Sequence, residues 1–161
     1  MPDRRDDRMT LSPPLRETLL AVSATMAAAR DPWWIITGAA VALHGVDAGP
    51  VGDVDVLISV ADGHGILAAT GVDPDVRPAH AKFRSALFGT WHAPPLPVEF
   101  MAGFCHYEAA QWVAVQPRTR ERIAMAGGAV FVPDRTEMEW MLRRFGRPKD
   151  IMRADRLAAA G

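Results

Sequence analysis

Residues 53–60, Asp-Val-Asp-Val-Leu-Ile-Ser-Val, constrain the fold of this chain more than any other run. Period two places Asp53, Asp55, Leu57 and Ser59 on one face of a strand, with Val54, Val56, Ile58 and Val60 on the other. Two carboxylates one residue apart on a strand face lie ~6.5–7 Å apart along the chain. Unpaired on a buried face, they would be strongly unfavourable. Either this is a solvated edge strand, or the pair converges on a divalent cation, which prefers several anionic oxygens.

Two further features bear on that choice. Upstream, Gly38-Ala39 sits where the apolar run 33–37 stops and a short helix over 39–44 begins. A strand–helix junction offers free backbone N–H groups and a positive dipole end, which suit a phosphate. Downstream, Glu99 interrupts the apolar strand 98–101, bounded by Pro97 and Gly103. A carboxylate there needs a partner. An ion pair to Arg84 or Arg118 would serve, and so would a cation shared with the two aspartates.

The rest of the chain reads as one α+β domain, 1–161, with residues 1–11 expected to be flexible. Ser12 and Pro13 open a helix whose stripe is Leu15, Leu19, Val22 and Met26, and Asp31-Pro32 closes the segment. Residues 82–89 and 98–101 read as strands around a Pro-rich loop, 91–97, while 106–115 is ambiguous between helix and strand. Gly127-Gly128 joins 120–125 to 129–132 as a hairpin. Asp134 and Glu137 form a capping-box pattern before the stripe Met138, Met141, Leu142 and Phe145. The C-terminal helices span 134–160, with Gly146 and Pro148 dividing them.

Composition narrows the function classes. The formal net charge of −1 argues against a basic surface that coats DNA. A single cysteine, Cys105, cannot form an internal disulfide and fits the cytoplasm. No apolar run is long enough to span a membrane. The near-neutral total hides a split: residues 31–76 hold seven Asp (31, 47, 53, 55, 62, 73, 75) and no Lys or Arg. Residues 135–156 hold seven bases (Arg135, Arg143, Arg144, Arg147, Lys149, Arg153, Arg156) against four acids. If the fold brings these blocks together, cations at one point and phosphates nearby become compatible.

The run Ile36-Thr37-Gly38-Ala39-Ala40-Val41-Ala42-Leu43-His44-Gly45, followed by Gly52-Asp53-Val54-Asp55-Val56-Leu57-Ile58, resembles the signature of the DNA polymerase β-type nucleotidyltransferase superfamily. It is most similar to the minimal and abortive-infection-type members of bacterial toxin–antitoxin modules. That signature is a Gly-Ser or Gly-Gly pair, a short helix often ending Leu-His-Gly, and Asp-x-Asp on the next strand. Here 13 residues separate Ala39 from Asp53. Glu99 matches the expected third carboxylate, and Gly146-Arg147-Pro148-Lys149-Asp150-Ile151 resembles the family's late-helix Arg-x-Lys-Asp segment.

The resemblance implies a mixed β-sheet with helices packed mainly on one side, and metal-dependent transfer of an NMP from an NTP substrate to a protein or RNA hydroxyl. Asp53, Asp55 and Glu99 would hold Mg²⁺ or Mn²⁺ and form the catalytic site, Glu99 activating the acceptor. Gly38, Ala39 and the following amides would cradle the nucleotide's phosphates. A small helical toxin or antitoxin would be a partner. The chain departs from the pattern at Ala39, where Ser is common, and at 49–52, Gly-Pro-Val-Gly, where relatives place Arg and Thr. Lys82 or Arg84 could supply the missing cation. The intact carboxylates favour an enzyme; the departures favour a catalytically degenerate binding, antitoxin or scaffold module.

Overall fold

The computed structural model describes residues 11–76 and 80–161. Helix α1 (Pro13–Met26) starts where the Ser12 hydroxyl accepts a hydrogen bond from the Leu15 amide, and it buries Leu15, Leu19, Val22 and Met26. The expected flexible N-terminus lies outside the described residues except for Leu11, which is buried in the core. Strand β1 (Trp34–Ile36) runs straight into α2 (Thr37–Leu43), two residues earlier than the sequence pattern suggests.

A four-stranded mixed sheet carries the fold, in the order β1, β2 (Val54–Ile58), β5 (Val98–Ala102), β4 (Leu87–Trp91). The β1/β2 and β4/β5 pairs are antiparallel, while β2 and β5 are parallel. Parallel neighbours need a long crossover connection. Much of it is α3 (Val60–Thr70), a helix that the sequence pattern conceals. Its signals are nevertheless present: Ser59 caps it through the Asp62 amide, Gly71 ends it in a left-handed conformation, and Gly63, Ile66 and Leu67 are buried at helical spacing. Gly63 is a contact rather than a break. A Cβ there would come within 3.0 Å of Leu87 and 3.1 Å of Ala102, so α3 packs directly on the sheet.

Strand β3 (Phe83–Arg84) belongs to a second sheet with β6 (Cys105–Glu108) and β7 (Gln111–Ala114). The ambiguous stretch is therefore a hairpin. Its turn residues Ala109 and Ala110 have φ of 50° and 64°, a conformation that normally favours Gly or Asn and so gives no turn signal in the sequence. Strands β8 (Glu121–Met125) and β9 (Gly128–Val132) form the expected hairpin around Gly127.

Helix α4 (Arg135–Phe145) buries all four residues of its predicted stripe, and Gly146 stops it. Helix α5 (Pro148–Ala160) returns against α4, linked by Arg143–Asp155. Among the described residues no helix is long and apolar enough to cross a membrane. Phe100 fills the centre of the sheet at 1% exposure, stacked on Trp91 with ring centroids 6.2 Å apart. Phe100→Ala is expected to cost about 3–5 kcal/mol in urea unfolding, the usual range for emptying such a site. Ser12→Ala should cost only about 1 kcal/mol, the value of one helix cap.

Candidate active site

The sheet register assembles the carboxylates. Asp55 on β2 lies opposite Glu99 on β5, and Asp53 immediately precedes β2. The Val54 amide bonds the Pro97 carbonyl at 2.9 Å, so the backbone beside Asp53 is tied to the start of β5. One oxygen from each of Asp53, Asp55 and Glu99 lies within 4.8 Å of the other two. Neither Arg84 nor Arg118 forms an ion pair with Glu99: Arg84 lies over the Trp112 ring, and the Arg118 amide bonds Glu137.

The three carboxylates border a cavity of about 620 Å³. Its aromatic wall comes from β3, β4, the turn between β5 and β6, and the end of α4, through Phe83, Phe88, Phe104 and Phe145 respectively, and Arg84 and Arg147 bring positive charge. Phe83 stacks on Phe104 and meets Phe145 edge-on, with centroids 5.6 and 5.2 Å apart, which fixes that wall.

Burial raises the Asp55 pKa to about 7, with the neighbouring Glu99 charge adding to the rise. The Thr37 hydroxyl opposes it by donating to Asp55 Oδ2 at 2.6 Å. Thr37 itself has φ 62°, a left-handed conformation that a β-branched residue enters only under strain. The turn from β1 into α2 thus holds an unfavourable backbone state, with the hydroxyl on the carboxylate. Asp53 is also raised, first by burial and then by Asp55, while Lys149, Arg153 and Arg147 pull it down.

Does this arrangement suit a divalent cation? Asp55 Oδ1 is buried and has no hydrogen-bond partner among the described residues. An orphaned carboxylate oxygen beside two more carboxylates is costly in the protein alone and becomes a ligand when a hard cation is present. The donor set is all oxygen, as Mg²⁺ and Mn²⁺ prefer. The residues fit.

The other residues singled out in the sequence are placed differently. Gly38 and Ala39 are buried in α2, outside the cavity lining. The space beside Gly38 is filled by the Arg153 guanidinium, whose carbon would lie 2.8 Å from an added Cβ. The Lys82 ammonium donates to the Phe145 carbonyl at 3.3 Å, whereas Arg84 does line the cavity.

Arg147 was not singled out as a site residue, although the basic block and the late-helix motif both contain it. Its guanidinium is gripped by Asp150, with Nε–Oδ2 at 2.6 Å and Nη2–Oδ1 at 3.1 Å, and lies 5.0 Å over the Phe83 ring. Asp150 is fully buried and also caps α5 through the Arg147 amide. It holds a cation facing the carboxylates in place.

A raised carboxyl binds its proton more tightly folded than unfolded. Its stabilising contribution is therefore complete below the ordinary carboxylate pKa and is lost as pH rises through about 7. In EDTA, the Tm of the wild type should fall between pH 5 and 8, and Asp55→Asn should flatten that fall. Adding Mn²⁺ at pH 8 should raise the Tm of the wild type and leave that of Asp55→Asn nearly unchanged.

No family model matches this sequence, and no curated protein matches it. Solved structures do. A protein of Thermotoga maritima assigned as a nucleotidyltransferase, TM1012, superposes with a TM-score of 0.68 at 17% identity, covering 89% of this chain and 92% of its own. The antibiotic-resistance factor ANT(2'')-Ia matches in solution with a TM-score of 0.54 at 12% identity, covering 91% of this chain and 82% of its own. Its complex with adenylyl-2''-tobramycin gives 0.51 at 12%, covering 88% and 87%. The chain has a nucleotidyltransferase fold, and of its three clustered carboxylates Asp55 and Glu99 lie on adjacent strands of the central sheet while Asp53 immediately precedes the first of them.

Proposed function

We propose that this protein is a metal-dependent nucleotidyltransferase that moves an NMP from an NTP to a hydroxyl of a protein or RNA. The observation that carries the reading is the carboxylate cluster with its orphaned Asp55 oxygen, at the edge of a cavity large enough for a nucleotide. The fold supports it, because one solved structure of similar fold is in complex with adenylyl-2''-tobramycin.

Asp53, Asp55 and Glu99 would hold Mg²⁺ or Mn²⁺. The bound cation supplies charge neutralisation at the α-phosphate and the leaving oxygen. Thr37 keeps Asp55 oriented. Glu99 takes the proton of the acceptor hydroxyl as its oxygen bonds to the α-phosphorus. The bond to the β-phosphate breaks, and pyrophosphate leaves. Arg147, already fixed by Asp150, and Arg84 meet the phosphates with planar, multidentate donors. The aromatic wall gives the base a stacking surface. On this reading the cation missing ahead of Asp53 comes from the other end of the chain. A small helical partner within a toxin–antitoxin pair belongs to the same proposal.

One observation favours the rival, a binding module without catalysis: Arg153 covers Gly38, where amides would otherwise face a phosphate. Label transfer separates the two. Incubation with Mg²⁺ or Mn²⁺, each α-labelled NTP and cell lysate should label a macromolecule, and nuclease or protease digestion assigns it to RNA or protein. Asp53→Ala/Asp55→Ala should lower transfer by more than about 100-fold. Absence of both transfer and metal-dependent NTP binding in the wild type would exclude the enzyme. Arg147→Met should raise the KM for NTP by about tenfold or more, the usual effect of losing a charge-assisted hydrogen bond.

A further inference from the structure

We propose that Arg153 is a positioning residue for Asp53: its buried guanidinium, wedged between Gly38 and the loop 46–52, locks that loop so that the Asp53 carboxylate stays with Asp55 and Glu99. This rests on the reading of the three carboxylates as a cation site.

Asp53 stands outside the β2 ladder, at the end of a loop rich in Gly and Pro. On its β2 side the backbone is held by the Val54–Pro97 bond; on its other side it depends on the loop. The loop turns at Asp47, whose Oδ1 accepts the Gly49 amide at 2.8 Å, and at Gly49 itself with φ 70°. Neither feature ties it to the rest of the protein. Arg153 does. It is 8% exposed, and it donates Nε to the Ala48 carbonyl and Nη2 to the Pro50 carbonyl, each at 3.0 Å. Two donors of one rigid fork fix two alternate carbonyls, which a flexible ammonium could not do.

The same guanidinium explains Gly38. Any side chain there would enter the space it occupies, with its carbon 2.8 Å and Nη2 2.9 Å from a Cβ. Gly38 is not among the positive-φ glycines, so the requirement is for space and not for backbone freedom. The neighbouring Arg156 also reaches the loop, at the Asp47 carbonyl (3.0 Å) and carboxylate (3.4 Å), but in solvent, where such pairs contribute little. Burying Arg153 weakens its hold on its proton, and the nearby Asp150, Asp53 and Asp55 charges offset that cost. It is an expensive residue for a purely structural strap, and its position links α5 to the first carboxylate.

The test uses full-length protein, with Mn²⁺ affinity read by calorimetry and hydrogen exchange read on residues 46–53. Arg153→Met should weaken Mn²⁺ binding by about tenfold or more, as loss of a residue that orients a metal ligand usually does. It should speed exchange of 46–53 while β5 stays protected. Arg153→Lys should recover part of both, and Arg156→Met should match the wild type. Gly38→Ala, which keeps the arginine but displaces its guanidinium, should reproduce Arg153→Met. It decides the matter if Arg153→Met does not fold.

Wild-type Mn²⁺ affinity in Arg153→Met or Gly38→Ala, or weakened binding with 46–53 as protected as in the wild type, overturns this inference alone. A wild type that binds no Mn²⁺ removes the cation site and this role with it.

Discussion

Parallel pairing of β2 with β5 sets Asp55 beside Glu99, with Asp53 close by, and the remainder of the site answers that concentration of charge. Two unit charges within 4.8 Å of each other repel by about 3 kcal/mol or more at an effective dielectric of about 20. An exposed ion pair typically returns less than about 1 kcal/mol. Surface cations alone are therefore too weak to hold three carboxylates together, and a proton or a bound cation must carry most of the compensation. Asp55 is raised to about 7 first by burial, and the Glu99 charge adds to that rise.

Nearby elements supply what remains. Thr37 accepts a strained backbone in order to place a donor on Asp55. Helix α5 and its N-terminal cap contribute Lys149, Arg153 and Arg147, each of which pulls Asp53 back toward ionisation. Asp150 keeps this basic group from being a uniform patch. Buried and clamped to Arg147, it turns a mobile side chain into a fixed one. The base-free segment and the basic tail are thus two halves of one electrostatic arrangement, which a net charge of −1 conceals.

Much of this was legible in advance. The alternation after Asp53 identified β2, the break of pattern at Glu99 marked an acid in a strand, and the stripes of α1 and α4 are core. Helix α3 was hidden because glycine is a poor helix former and the helix holds two, whereas Gly63 is small so that the helix can touch the sheet. The β6–β7 turn was hidden because alanines hold the left-handed positions. At Gly38 the smallness was evident, but the sequence could not indicate that a guanidinium more than a hundred residues away packs against it.

The sequence by itself determined which residues are acidic, their spacing along each strand and the nucleotidyltransferase pattern they resemble, because local periodicity governs which side chains share a face. Only the tertiary structure decided that Glu99 lies opposite Asp55, that Arg147 faces them, and that Arg153 grips the loop before Asp53. Strand register and the return of the last helix are set by packing between distant segments. Such packing leaves no periodic trace in the segments it joins.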